Sequence, residues 1–294
     1  MALFPGFERR QLKVTETTIN LVTGGRGPPL LLLHGYPQTH ALWHAVAPRL
    51  AERFSIVAAD LRGYGDSGQP ASTPDHAAHS KRAMARDMVE VMAALGHDRF
   101  MVAGHDRGGR VTHRMLLDHG AAVQRAAVLD ICPTLTTFER MTTALAHAYY
   151  HWFFLSQAAD LPERMIGADP GHYLMTKLAN WSSGFAGFDP GALAEYRRCF
   201  AMPAVVHASC EDYRAAVSID LEHDRADLHR KPAQPLLVLW GEQATMHKHF
   251  DVLETWRERA DDVRGRVLPC GHYLPEEQPD AVFAEFMKFF GAEA

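Results

Sequence analysis

Cysteine is scarce in this 294-residue chain: there are four, Cys132, Cys199, Cys210 and Cys270, and no two form a C-x-x-C pair. A disulfide framework or a thiolate zinc site is therefore not expected, and a reducing compartment is. Long apolar runs are missing too. No stretch approaches the ~20 residues that span a bilayer, and Ala2-Leu3-Phe4 meets Pro5 before a signal-peptide core can form. Neither sign of charge is in excess, with 30 Lys and Arg against 35 Asp and Glu for a net −5. That balance argues against a nucleic-acid partner or an anionic membrane surface. The expected location is the cytoplasm. Metal chemistry also lacks its signature: His147 and His151 stand four apart, but no H-E-x-x-H glutamate or third ligand accompanies them. Gly24-Gly-Arg-Gly27 precedes a strand rather than a helix, so it reads as a turn and not as a phosphate cradle.

What is present is a core-forming composition, 47% hydrophobic and 22% charged, long enough for one large domain. Eighteen histidines make the net charge sensitive to acid. Short apolar runs at Pro29–Leu33, Phe54–Ala59, Arg99–Ala103 and Ala126–Leu129 read as strands. Trp43–Arg53 and Lys81–Leu95 read as helices between them, the latter apolar at Met84, Met88, Val91, Met92 and Leu95. Alternating strands and helices imply a mostly parallel sheet. Leu12–Val22 reads as an antiparallel lead-in hairpin.

The pattern changes between 133 and 228. There the chain is helical, aromatic and broken by Pro162, Pro170, Pro190 and Pro203. Pro235–Trp240 and Val263–Leu268 then restore the strand signature, with Lys231–Pro235 as the linker back. The expected organisation is an α/β core of residues 1–132 and 229–294, interrupted after the sixth strand by a helical lid of residues 133–228.

Ligands of open α/β sheets bind beyond the carboxyl ends of strands. The residues that terminate the runs are His34, Asp60, Asp106, Asp130, Trp240 and, after the last strand, His272. Asp106 stands out. In Gly104-His-Asp-Arg-Gly-Gly109 it holds the centre of a G-x-S-x-G-like nucleophile elbow, where glycines allow a strained turn and close neighbours. The plainer alternative is a helix cap. Asp in place of Ser changes the chemistry: a carboxylate is already anionic, needs no base to attack, and suits displacement at an sp³ carbon. A base is then needed to hydrolyse the resulting ester. His272, in Pro269-Cys-Gly-His-Tyr273, follows the last strand and fits the order nucleophile, acid, histidine. Asp130 is preferred as the acid over Glu242, because it ends an uninterrupted apolar strand.

Arg107 and Arg110 lie one turn apart where a helix starts, a place that also favours anions. Two guanidinium groups beside the nucleophile suit a small carboxylate substrate; surface pairing with Asp118 or Glu139 is the plainer alternative. The backbone N–H groups of Tyr36 and Arg107 are candidates for an oxyanion hole.

His34-Gly-Tyr-Pro37, Asp60-Leu-Arg-Gly-Tyr-Gly-Asp-Ser67, Gly104-His-Asp-Arg-Gly-Gly-Arg110 and Gly271-His272 together resemble the carboxylate-nucleophile branch of the α/β hydrolases. That branch holds haloalkane dehalogenases and epoxide hydrolases. Within it the chain most resembles the fluoroacetate (haloacetate) dehalogenases, over nearly its whole length. The resemblance implies Asp106 as nucleophile, Arg107 and Arg110 as carboxylate ligands, and the acid on the strand that ends in Asp130. It also implies a halide site of His151, Trp152 and Tyr213, the last within Glu211-Asp-Tyr-Arg214. No metal or cofactor is implied. The partner would be a small haloacid, and the family often forms homodimers, which the sequence itself does not establish. Two rivals remain: an epoxide hydrolase using the same Asp and His with Tyr150 and Tyr213 as proton donors, and a non-catalytic hydrolase-fold receptor for small molecules.

Overall fold

The computed structural model describes residues 3–291. Eight strands form one sheet in the order β1-β2-β4-β3-β5-β6-β7-β8. They are β1 (Glu8–Lys13), β2 (Thr18–Gly24), β3 (Pro29–Leu33), β4 (Ser55–Ala59), β5 (Phe100–His105), β6 (Val123–Leu129), β7 (Leu236–Gly241) and β8 (Val263–Leu268). The lead-in hairpin β1–β2 is antiparallel, β2 runs antiparallel to β4, and the remaining neighbours are parallel.

Helices cover both faces, so the central strands are apolar throughout rather than alternating. β5 and β7 are buried at every position. The period of two still sorts their side chains. Leu31, Leu33, Val57, Val102, Val128 and Val238 share one core cluster with Met84 and Met88. Leu30, Leu32, Ile56, Met101, Leu237 and Leu239 share the other with Trp43, Leu50 and Phe286.

The helix expected over 43–53 is not continuous. A short 3₁₀ turn (His40–Trp43) precedes a single helical turn, α1 (Ala47–Leu50). Pro48 explains the break, since it lacks an N–H and fits only the first turn of a helix. α2 (Lys81–Ala94) matches its expected range; Ser80 caps it by accepting from the Ala83 N–H. α3 (Arg107–His119) follows β5 directly.

Between β6 and β7 come eight described helices: α4 (Thr134–Glu139), α5 (Thr143–Ala148), α6 (Tyr150–Leu155), α7 (Leu161–Ala168), α8 (Pro170–Trp181), α9 (Pro190–Phe200), α10 (Pro203–Val217) and α11 (Ile219–Ala226). The four prolines that punctuate this stretch start helices rather than interrupt them. Pro162, Pro170, Pro190 and Pro203 each occupy a first turn, where the missing N–H costs nothing. The chain closes with α12 (Thr245–His249), α13 (Val252–Arg257), α14 (Leu274–Glu277) and α15 (Pro279–Phe290). Among the described residues, no helix is long and apolar enough to cross a membrane.

Candidate active site

Of the six strand-terminating residues, three converge. Asp106 sits between β5 and α3 at φ 45°, ψ −111°. Space dictates the glycines around it: a Cβ on Gly104 would lie 2.2 Å from the Gly108 carbonyl oxygen, and one on Gly35 would lie 2.4 Å from the Asp106 Cβ. Asp106 stands at the N-terminus of α3 but its side chain does not cap it. Instead Oδ1 accepts the Tyr36 N–H at 2.9 Å, and Oδ2 lies 3.9 Å from His272 Nε2, too far for a hydrogen bond. His272 Nδ1 donates to Asp130 Oδ2 at 2.5 Å. The other Asp130 oxygen accepts the Gly241 N–H at 3.0 Å. Asp130 also carries a positive φ, 50°.

The electrostatics separate the three groups. Burial raises the Asp106 pKa, yet the charges of His272, Arg107, His105 and Arg110 outweigh it and hold the carboxyl below its usual range. Burial likewise disfavours charged His272, but the Asp130 hydrogen bond and charge, with Asp106 behind them, leave its pKa raised. Burial raises Asp130 more than His272 lowers it. The triangle therefore holds an ionised carboxylate next to a strengthened, oriented imidazole.

The other strand ends are structural. His34 Nε2 accepts the Leu61 N–H at 3.0 Å, and its Nδ1 lies 2.9 Å from the Gly35 carbonyl. Asp60 accepts from Asn20, from the backbone N–H and Nδ1 of His40, and from the Asp66 N–H. Trp240 Nε1 donates to His247 Nδ1. Glu242 is exposed.

A cavity of about 80 Å³ opens beside this triangle, lined in part by Asp106, Asp130, His272, His151 and Trp152. That is small against the ~300–1,000 Å³ of pockets for drug-sized ligands. Tyr149, Asn180, Trp181, Gln243 and Lys248 complete much of its outer wall; none of these was foreseen. Arg107, Arg110, Tyr213 and Tyr36 are not part of the lining, but they pack directly behind it.

The two arginines are buried, 0% and 3% exposed, so surface pairing does not describe them. Asp118 pairs with Arg82 and Arg114 instead. Arg107 makes a two-pronged bond to Asp212, through Nε at 2.8 Å and Nη2 at 2.6 Å. Lys81 and the Tyr64 hydroxyl share the same carboxylate, whose pKa is driven far down against burial by Arg107 and Lys81. Arg110 differs. Its Nη1 donates to the Cys132 carbonyl and to Thr134 Oγ1, both at 3.0 Å. Its Nε has no partner, and among the described residues no carboxylate pairs with it. Burial first, then the Arg107 charge, lower its pKa.

His151 and Trp152 on α6 and Tyr213 on α10 come together. Ring centroids of His151 and Tyr213 are 5.6 Å apart, those of Trp152 and Tyr213 6.4 Å. The guanidinium of Arg107 lies 4.2 Å over the Tyr213 ring, and that of Arg110 4.5 Å over Trp152. His151 Nδ1 and the Tyr213 hydroxyl are buried with no partner among the described residues. Burial, then Lys177 and Arg107, push the His151 pKa well down, so the ring is neutral.

His147 and His151 do not share a helical face, because the helix breaks at Tyr149. Among the described residues one group of metal-compatible donors exists, Asp66, Glu195 and Cys199; it does not line the cavity, and Arg9 and Arg198 already engage its carboxylates.

Sequence reasoning also missed His105 and Asp212. His105, inside the elbow motif, has its Nε2 2.8 Å from the His272 carbonyl oxygen, its pKa pushed down to about 3 by burial and His272. Asp212 stood next to Tyr213 in a quoted motif, but nothing local marks it as the partner of Arg107.

The family profile described as the alpha/beta hydrolase fold matches residues 28–279. The chain belongs to the α/β-hydrolase family. It is 49% identical to a fluoroacetate dehalogenase of Burkholderia sp over 95% of this chain and 92% of the relative. It is 34% identical to a soluble epoxide hydrolase of Corynebacterium sp. (strain C12), over 95% and 96%. A solved alpha/beta hydrolase of Nostoc sp PCC 7120 superposes with a TM-score of 0.96 at 56% identity, covering 97% of this chain and 98% of that one. The strand-to-helix turn that carries Asp106 lies at the carboxyl edge of the sheet, where this fold places its nucleophile elbow.

Proposed function

We propose that this α/β hydrolase cleaves the carbon–halogen bond of small 2-haloacids, with fluoroacetate as reference substrate, through an ester on Asp106. The observation that supports the reading is Arg110, a buried cation near the anionic Asp106, one ring behind the cavity wall at Trp152, with no carboxylate of its own among the described residues. A substrate carboxylate would supply that missing charge. The small cavity favours a two- or three-carbon acid.

Asp106 Oδ2 attacks the substrate carbon and halide departs toward His151, Trp152 and Tyr213. The Asp106 carboxyl carbon then bears the ester. His272, held by Asp130, takes a proton from water as the water attacks that carbon. The backbone N–H of Tyr36, which already holds Oδ1, and that of Arg107, the first residue of α3, meet the tetrahedral oxyanion. Collapse releases glycolate, fluoride and one proton from fluoroacetate and water. No step calls for a metal or cofactor. Residues 133–228 act as a lid on the core of 1–132 and 229–294.

Epoxide hydrolysis is the second reading, supported by the Corynebacterium relative and by the unpartnered Tyr213 hydroxyl. It is weakened at Tyr150, which is 47% exposed and does not line the cavity. Fluoroacetate, chloroacetate and styrene oxide, assayed for halide and diol, separate the readings. Halide and glycolate without diol are expected; dominant diol would transfer the chain to epoxide hydrolysis, and binding without turnover to a receptor role. A single turnover in heavy-oxygen water should label Asp106. Label found only in glycolate would mean direct attack by water.

A further inference from the structure

The lid carries one more buried cation, which has no part in the chemistry above. Lys177 on α8 is 1% exposed, and its Nζ has no hydrogen-bond partner or ion pair among the described residues. Lysine usually buries its stem and keeps the ammonium in water; here the ammonium itself is enclosed. Three rings surround it, with centroids at 3.7 Å for Tyr150, 5.2 Å for Trp181 and 5.4 Å for Tyr173. Ring faces attract a cation but do not replace a counter-charge. Burial accordingly pulls the Lys177 pKa down to about 7. An apolar residue would fill the same space without that cost. With a pKa of about 7 the enclosed amine readily sheds its proton, and an anion brought beside it would hold that proton in place.

Position names that anion. Trp181, one turn after Lys177, lines the cavity and packs on His151 at 4.5 Å between ring centroids. Its carbonyl accepts the His272 N–H at 2.8 Å, which ties the end of α8 to the base. After burial, the charge of Lys177 is the largest influence on His151. Lys177 therefore stands behind the wall where His151, Trp152 and Tyr213 gather. All three of those donors are neutral. Arg107 and Arg110 lie behind Tyr213 and Trp152, but Arg107 is matched by Asp212 and Arg110 would be matched by the substrate carboxylate, so Lys177 is the cation left for a departing halide.

We propose that Lys177 is the counter-charge of the departing halide, its ammonium supplying through the His151–Trp181 wall the positive potential against which halide charge develops. This rests on the dehalogenase reading. Lys177 acts as a positioning residue, through the field and through the rings it supports, without touching the reacting carbon. Fluoride, the most charge-dense halide and the poorest leaving group, should depend on it most.

Lys177→Met keeps the stem and removes the charge. Two readouts are needed. Without turnover, bromide should quench the fluorescence of Trp152 and Trp181 in the native enzyme saturably, and Lys177→Met should weaken its affinity about tenfold. In turnover, kcat for fluoroacetate should fall about tenfold or more, with chloroacetate falling less than about threefold and KM nearly unchanged. The melting temperature should hold or rise, and Lys177→Arg should restore part of the loss. Unchanged bromide affinity together with an unchanged fluoride-to-chloride ratio would overturn the proposal, as would equal losses on both substrates with a lowered melting temperature. Should Lys177→Met not fold, Lys177→Gln is read by the same criteria. If the native enzyme releases no halide from either acid, the dehalogenase reading fails, and the bromide titration alone still decides whether Lys177 holds an anion site.

Discussion

The strand-end rim and the underside of the lid treat their polar groups in opposite ways. On the rim the orienting atoms are engaged, Asp130 by His272 and Gly241, Asp106 by Tyr36, His105 Nε2 by the His272 carbonyl, while His272 Nε2 and His105 Nδ1 stay open. Under the lid, His151 Nδ1, the Tyr213 hydroxyl and Lys177 Nζ are buried without partners, as is Nη1 of Arg107 just beneath. An unmet buried polar group costs about 1–3 kcal/mol. The rim spends its bonds on orienting the reacting groups before substrate arrives. The lid withholds its donors, which a ligand would complete. In the proposed reaction the rim would set the geometry, and the lid what is accepted and what is allowed to leave.

Breaking the rim should have the largest effect. Asp130→Asn removes the acceptor that fixes the His272 tautomer and should lower steady-state turnover by about 10⁴-fold. Glu242→Gln, on the exposed side of the same rim, should change it by less than about twofold. Mass spectrometry during turnover should find Asp106 esterified in Asp130→Asn, because only the second half of the reaction needs the base. A comparable loss from Glu242→Gln would move the acid to the loop after β7.

The two arginines sharpen the contrast, since one belongs to a satisfied network and the other does not. Arg110→Met should lower kcat/KM for chloroacetate by about 10²-fold or more, with the melting temperature unchanged or higher. Arg107→Met strands Asp212 beside Lys81 and should destabilise the fold by on the order of 3 kcal/mol. Paired thermal melts and kinetics test this. A reversal, with Arg107→Met fully stable and Arg110→Met unfolded, would undo the assignment of the unpaired cation to substrate.

The smallest effect is one of pH. The pKa of His272 is raised in the free enzyme and that of Asp106 is lowered. Acid therefore protonates the base before it neutralises the nucleophile. As pH falls through the His272 pKa, hydrolysis should fail while alkylation continues, giving a burst of one halide per site followed by slow turnover. Forming the ester also removes the Asp106 charge that helps to raise His272, so the acid limb of kcat should lie below the His272 pKa of the resting enzyme. Rapid-quench halide measurements around pH 5 to 7, set against imidazole titration by NMR, check both points. A burst absent at every pH, with alkylation and turnover failing together, would count against the ordering.

Much of the sheet was legible because strand signals are local. Pro29–Leu33 and Val263–Leu268 match their observed ranges to the residue. Phe54 and Arg99 fall just outside the strands they were expected to begin. Trp43–Arg53 misled because Trp43, Val46 and Leu50 are apolar at helical spacing, yet two short turns around Pro48 bury them equally well. The meeting of Asp106, Asp130 and His272 was readable for the same reason: each follows a strand, and β5, β6, β7 and β8 lie side by side. The pairing of Arg107 with Asp212 was not, since 105 residues separate them and only the docking of α10 brings them together. The isolation of Lys177 was equally hidden. Tyr173 and Trp181 stand four residues to either side of it on α8, but the third ring, Tyr150 of α6, and the lack of any counter-charge among the described residues arise only from packing.

Apart from His76 at φ 57°, two non-glycine positions among the described residues hold the backbone where side chains are rarely tolerated: Asp106 at φ 45° and Asp130 at φ 50°. Such conformations cost on the order of 1–3 kcal/mol each, and both fall on the acids of the triangle. Glycine at 106, or glycine or asparagine at 130, would relieve them. The chain therefore holds a reserve of stability that it can reach only by giving up turnover. A lineage released from selection for activity would be drawn to those substitutions first and would melt higher as it lost its chemistry. Among natural variants of this sequence, thermal robustness and an intact pair of aspartates should pull in opposite directions.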